Sequence, residues 1–238
     1  MRALMLAHDP SPAGGMLGDR LRQRGIEVVE HVMCPDVERP DRSVPFPVLD
    51  GFDLLVPMGS VWSVYDDATI GSWIDDELDL IRSAHRDDRP VLGICFGGQA
   101  LAAALGGSVS LSPVTEIGWI EVHTDKPADV PSGPWLGWHH DRFETPPGAE
   151  VIARNGAGPQ LFRVARSVGT QFHPEVDLGI LDAWLANATD EYLEEHGVDV
   201  ETLRDATRAN EAAARRRCDR LVDWFLDDVS GLGARLAT

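Results

Sequence analysis

The chain has 238 residues, 43% of them hydrophobic and 25% charged, which is enough to bury a substantial core. Its 39 acidic residues outweigh 21 basic ones, a net charge of −18, and such a surface repels phosphate backbones and anionic lipid. Nucleic acid and membrane are therefore not expected as partners, and no apolar run approaches the roughly 20 residues of a membrane span.

Strand and helix signals alternate from the start. Residues 3–7 read as a strand, too short for the apolar stretch of a secretory leader. A Pro/Gly loop over 10–15 precedes a helix over 16–24, stopped by Gly25. Residues 26–31 and the very apolar 53–57 read as strands. Ile70, Trp73, Ile74, Glu77, Leu78 and Ile81 keep helical spacing. Residues 89–94 form another strand, and a helix from Gly98 ends at Gly106-Gly107, a good C-cap pair. This alternation predicts a parallel, doubly wound sheet with helices on both faces.

From Ser108 to about Gln171 short β-type runs (118–122, 150–154, 161–164, 168–172) are separated by Pro/Gly turns, and read as antiparallel strands and hairpins added to the sheet. From Leu178 the chain reads as helical, with Leu181, Trp184 and Leu185 on one face. Residues 199–229 predict one or two long helices with Leu203, Ala206, Ala213, Leu221, Trp224 and Phe225 inward. No repeat or linker divides the chain. A single domain over 1–238 is expected, with a core to about residue 176 and a helical C-terminal extension from about 178.

The chemistry concentrates at Gly93-Ile94-Cys95-Phe96-Gly97-Gly98-Gln99. An apolar strand, a glycine-flanked cysteine and a helix make the thiol version of a nucleophile elbow. The glycines are expected to supply backbone angles that a Cβ forbids. The following helix aims free N–H groups and its positive dipole end at the sulfur, which favours negative charge there. The amide of Phe96 lies where an oxyanion would form. A thiol nucleophile needs a base and a group that orients the base. Gln171-Phe172-His173-Pro174-Glu175 supplies both, because Pro174 biases His173 toward extended backbone and residues two apart then face one side. A second oxyanion donor is expected from the turn at Gly59-Ser60, after the apolar strand 53–57. The three cysteines, Cys34, Cys95 and Cys218, form neither a disulfide framework nor a zinc spacing, so no metal is expected and a reducing cytoplasm fits. Cys34 and Cys218 read as incidental.

Together these segments resemble the triad-type class I glutamine amidotransferases. The family elbow G-x-C-x-G-x-Q is matched by Gly93, Cys95, Gly97 and Gln99, and its H-P-E motif by His173, Pro174 and Glu175. Its oxyanion loop commonly reads G-G-P-x-S-V-Y-D. Here it is Gly59-Ser60-Val61-Trp62-Ser63-Val64-Tyr65-Asp66, with the second glycine and the proline replaced. Glu116-Ile117-Gly118-Trp119 and Trp138-His139-His140-Asp141-Arg142-Phe143 look like segments of the stand-alone GMP-synthase-like branch. The resemblance spans about residues 1–176.

It implies a flavodoxin-like three-layer α/β/α fold with a mostly parallel central sheet. It also implies hydrolysis of the glutamine side-chain amide through a Cys95-His173-Glu175 triad and a γ-glutamyl thioester, without cofactor or metal. Gly59, Ser60 and Phe96 would hold the oxyanion by their backbone, and Gln99 would help hold the substrate. His139, His140 and Asp141 would lie on a loop near the site, with one of them touching substrate or the oxyanion loop. No P-loop or pyrophosphatase motif is present, so the ammonia would pass to a separate synthase. Two other readings use the same residues: a γ-glutamyl amide or peptide hydrolase with no synthase partner, and a low-turnover binding or regulatory protein.

Overall fold

The computed structural model describes residues 1–236. Strand β1 (Arg2–Ala7) leads into helix α1 (Gly15–Gln23), β2 (Glu27–Val32), β3 (Leu54–Pro57), α2 (Asp67–Ile70), α3 (Ile74–Arg86), β4 (Leu92–Ile94) and α4 (Phe96–Ala104). Then come β5 (Ser108–Ile120), β6 (His123–Thr124), β7 (Trp135–Glu144), β8 (Glu150–Asn155), β9 (Gly158–Val164) and β10 (Ser167–Thr170). The chain finishes with α5 (Leu178–Asn187), α6 (Asp190–Glu195), α7 (Val200–Trp224) and α8 (Gly233–Leu236). Side-chain oxygens of Asp177, Thr189 and Asp199 cap the starts of α5, α6 and α7, each accepting an amide N–H three residues on.

β2, β1 and β3 pair in that order and in parallel. A parallel bridge from Leu55 to Val91 joins β3 to the strand leading into β4, and β4 pairs in parallel with β10. Beyond β10 the strands β9, β8 and β6 are all antiparallel. The sheet carrying the elbow is therefore mixed, not mostly parallel. The physical reason is loop length. β9 follows β8, and β10 follows β9, through a two-residue turn, and a tight turn permits only antiparallel pairing.

β1 shows how the two faces divide. Ala3 and Met5 pack with Met16, Leu17 and Leu21 of α1 and with Ala214, Cys218 and Leu221 of α7. Leu4 and Leu6 pack on the other face with Ile74 and Ile81 of α3 and Phe96, Ala100 and Leu101 of α4. Cys218 is thus a core residue of the α7 face. α7 turns inward with Leu203, Thr207, Ala214, Cys218, Leu221 and Trp224, while Ala206 and Ala213, expected inward, are only half-buried. An alanine on either side of the true stripe carries the same hydrophobic signal, so spacing alone does not separate them. No described helix is long and apolar enough to cross a membrane.

β5 and β7 form a separate two-stranded antiparallel ribbon, with a register shift between Leu111 and Glu116. The run expected at 118–122 overlaps the end of this 13-residue strand, and His139, His140 and Asp141, expected on a loop, lie on β7. Pro113 falls in the irregular stretch, where a missing N–H is tolerated. The ribbon matters for the site because Leu136 of β7 bridges His173, whose N–H donates to the Leu136 carbonyl at 2.8 Å.

Candidate active site

β4 stops at Ile94, α4 starts at Phe96, and Cys95 between them has φ +51° and ψ −106°. The unusual backbone angle thus falls on the cysteine. None of Gly93, Gly97 and Gly98 has positive φ, so the glycines do not serve the expected purpose. They make room instead. A Cβ on Gly93 would strike the Gly97 carbonyl, one on Gly97 the Pro57 carbonyl, and one on Gly98 the Thr170 carbonyl. The turn is wedged between two strand ends, with Cys95 N–H donating to Thr170 at 2.8 Å and Gly97 N–H to Met58 at 3.0 Å. A cysteine held at positive φ carries backbone strain that its surroundings must maintain.

His173 follows β10 at an isolated bridge to β7, and Glu175 sits in the turn just after it rather than on the extended backbone expected. His173 Nδ1 lies 2.7 Å from Glu175 Oε1, and the two residues are 5% and 2% exposed. Burial opposes a charge on the imidazole. The Glu175 carboxylate and the nearby Cys95 sulfur outweigh it and push His173 up to about 10. Nδ1 therefore donates to Glu175, and the ring keeps both protons at neutral pH. Nε2 is buried and makes no hydrogen bond among the described residues.

Gly59 stands against this pair. A Cβ there would come 3.0 Å from His173 Cε1 and 3.9 Å from Cys95 Cβ. The N–H groups of Gly59 and Ser60 make no backbone hydrogen bond among the described residues, and the Ser60 hydroxyl accepts from Trp62 N–H at 3.3 Å. Further along the same loop, Ser63 and Tyr65 donate their hydroxyls to the buried Asp141 carboxylate at 2.5 and 2.6 Å. Asp141 is the member of the 138–143 segment that grips the loop.

Of the two histidines beside it, His140 points to the opposite face of β7, while His139, two residues from Asp141, shares its buried face but turns to other partners. Nδ1 of buried His139 donates to the Asp141 carbonyl at 3.0 Å. Its Nε2 sits 3.1 Å from Glu116, at ion-pair distance but off the line of a hydrogen bond. Burial works against charge on Glu116, yet His139, Asn155 and Gln160 hold its carboxyl below the usual range. His140 meets Thr115 at 3.2 Å and the Tyr192 hydroxyl at 2.8 Å. Neither histidine bonds to Cys95 or His173.

Gln99, 3% exposed, donates to Gln171 at 3.2 Å, and Gln171 Nε2 in turn donates to the Cys95 sulfur at 3.7 Å. The Trp138 carbonyl lies 4.0 Å from the same sulfur. On the α5 side the Trp184 ring meets the His173 ring edge-on at 4.8 Å, and Trp138 packs on Trp184 at 5.7 Å. In the sequence Gln171 carries no signal of this contact beyond its place two residues before His173.

The family profile described as glutamine amidotransferase class-I matches residues 17–191. A glutamine-hydrolysing GMP synthase from Aeropyrum pernix is 35% identical over 142 residues, covering 54% of this chain and 25% of that protein. One from Nitrosomonas eutropha is 41% identical over 108 residues, covering 37% and 20%. The chain thus spans about a quarter or less of the length of these curated relatives. Among solved structures, a glutamine amidotransferase from Thermotoga maritima superposes with a TM-score of 0.83 at 25% identity, covering 96% of this chain and 99% of that one. One from Methylobacillus flagellatus gives 0.81 at 27% identity, covering 96% and 95%. With the elbow, the H-P-E segment and these likenesses in hand, the chain belongs to the class-I glutamine amidotransferase family, in its GMP-synthase-like branch.

Proposed function

We propose that this chain hydrolyses the side-chain amide of glutamine, on a single-domain, flavodoxin-like α/β/α scaffold. Cys95 is the nucleophile, His173 the general acid and base, and Glu175 the orienting carboxylate. The observation that carries this reading is the buried 2.7 Å His173–Glu175 contact beside a cysteine held at φ +51° on the N-terminus of a helix. The family membership supports the choice of bond.

The steps follow from the charges. The Cys95 thiolate attacks the carboxamide carbon, forming a C–S bond and moving the carbonyl electrons onto oxygen. That oxyanion faces the Phe96 N–H, which sits at the first position of α4 with no carbonyl four residues back in the helix. The Gly59-Ser60 turn supplies the second donor. The tetrahedral centre collapses, the C–N bond breaks, and protonated His173 gives its Nε2 proton to the departing nitrogen, which leaves as ammonia. Neutral His173 then takes a proton from water as it attacks the γ-glutamyl thioester, releasing glutamate and restoring the thiolate–imidazolium pair. Gln99 helps hold the substrate glutamine. These steps use side chains and backbone N–H groups of this chain and water.

The curated relatives are glutamine-hydrolysing GMP synthases, which supports a separate synthase as the acceptor of the ammonia in this reading. Three free buried cysteines suit a reducing, cytoplasmic setting. The test is ammonia release from glutamine, with γ-glutamyl amides as parallel substrates. Wild type turns glutamine over and Cys95→Ala does not. A wild-type protein that releases nothing from either class, with its thiol reduced and a candidate synthase present, refutes the reading.

A further inference from the structure

A second histidine touches the Gly59-Ser60 turn. His8 follows directly on β1 and is 1% exposed. Its Nδ1 donates to the Gly59 carbonyl at 3.0 Å, and its Nε2 lies 3.1 and 3.0 Å from the two carboxylate oxygens of Glu77. Glu77 projects from α3 and is fully buried. A carbonyl and a carboxylate only accept, so both ring nitrogens of His8 carry protons. Burial works against that charge. Glu77, the Gly59 carbonyl and the more distant Asp9 outweigh it, and His8 titrates above its ordinary value. The ring also meets Phe96 edge-on at 4.6 Å and stacks on Trp73 at 5.8 Å. One buried imidazolium therefore contacts both residues that flank the proposed oxyanion.

Stability does not account for such a pair. Apolar residues of similar volume serve a core at least as well as a buried ion pair. The turn, however, has a specific need. Its Gly59 and Ser60 N–H groups make no backbone hydrogen bond among the described residues, and no proline lies between Gly59 and Ser63 to restrain it. The bond from His8 is what fixes the Gly59 carbonyl. That carbonyl and the Ser60 N–H belong to one planar trans peptide and point in opposite directions.

We propose that His8 and Glu77 are positioning residues, a buried charged pair that pins the Gly59 carbonyl so that the Ser60 N–H stays turned toward the oxyanion formed at Cys95. The proposal rests on the glutaminase reading and deepens it. Glu77 holds the His8 ring and its protons. His8 holds the peptide, and the peptide presents the donor.

The test is the double variant His8→Phe with Glu77→Leu. It removes both charges together and keeps an aromatic ring against Phe96 and Trp73. Its thermal stability is expected to match wild type. Losing one oxyanion donor costs roughly a hundred- to a thousandfold in kcat. A donor left in place but unaimed is expected to cost about tenfold or more, with KM unchanged, because the interaction forms only in the transition state. Alkylation of Cys95 by iodoacetamide, which forms no oxyanion, should proceed at the wild-type rate. A folded double variant with wild-type kcat overturns the proposal.

Glu77→Gln is the conservative partner. Its amide can donate to His8 Nε2, leaving the Nδ1 proton on Gly59, so most of the kcat should survive. A Glu77→Gln variant as slow as a His8→Phe variant also overturns the proposal. If wild type releases no ammonia from glutamine, the glutaminase reading fails separately. The crystal structure of the double variant then decides on the pair: a turned Gly59-Ser60 peptide sustains the positioning role, and an unmoved one refutes it.

Discussion

Gly59→Ala tests how closely the proposed oxyanion turn stands against the imidazole of the proposed triad. Gly59 does not have positive φ, so an alanine fits its backbone and the only new atom is the Cβ. That atom lies 3.0 Å from His173 Cε1, 3.7 Å from Nδ1 and 3.9 Å from Cys95 Cβ. Carbon–carbon contacts settle at about 3.5–4.0 Å, so the ring or the turn must yield by about 0.5 Å. Adding one methyl to a packed site costs about 1–3 kcal/mol. The stiffer unfolded chain offsets about 0.4–1 kcal/mol of that. A chain of this size loses about 2–4 °C in Tm per kcal/mol, so the expected drop is at most about 10 °C. The kinetic effect is larger in proportion. A 1 Å misplacement costs about a hundredfold, and half that displacement about tenfold. A coupled ammonia assay gives kcat and KM, and differential scanning fluorimetry gives Tm. A variant with wild-type kcat and wild-type Tm would mean that Gly59 does not bear on His173, and the assignment of the turn to the oxyanion would fall with it.

Glu175→Gln removes the carboxylate that, with Cys95, holds His173 up at about 10. The imidazole then titrates lower, the alkaline limb of the kcat/KM profile moves to lower pH, and kcat falls by at least about a hundredfold. An unmoved alkaline limb refutes the link. Asp141→Asn leaves one acceptor oxygen for the two hydroxyls of Ser63 and Tyr65. The loss is about 1.5–3 kcal/mol for a charge-assisted bond, read as a lower Tm together with a lower kcat. The pH dependence of stability has a definite sign. His8 and His173 both titrate above 6.5 in the folded protein, so their contribution is complete below 6.5 and is lost as pH rises through the folded value, about 10 for His173. Tm should decline steadily across that window, and a flat or rising profile would show that the two imidazoliums are not buried with their partners.

The elbow and the H-P-E segment were legible because their information is local. A strand, a small-residue turn and a helix follow each other within a few residues around Cys95, and His173 and Glu175 meet from only two residues apart, across a turn rather than an extended run. Even there the reason assigned to the glycines was incorrect. From sequence, a glycine that supplies a backbone angle looks the same as one that clears space for a carbonyl, and Gly97 is the second kind. The β5–β7 ribbon was largely illegible because Pro113 and Gly118 interrupt its alternation and the two strands register irregularly across Leu111 and Glu116. The inward stripe of α7 was misread only at Ala206 and Ala213, where the buried residues are the next ones, Thr207 and Ala214, small side chains that differ too little in hydrophobicity to be told apart.

The sequence by itself picked out the proposed nucleophile, base and orienting acid and the kind of scaffold that presents them, since each depends on neighbours a few residues apart. The tertiary structure decided what surrounds them. Asp141 reaches Ser63 from 78 residues away, Gln171 reaches Cys95 from 76, and His8 meets Gly59 across 51 and Glu77 across 69. A lone histidine after a first strand carries no pattern that names its partner. Only the stacking of β1, β3 and α3 brings imidazole, peptide and carboxylate together, and burial then makes their charges count.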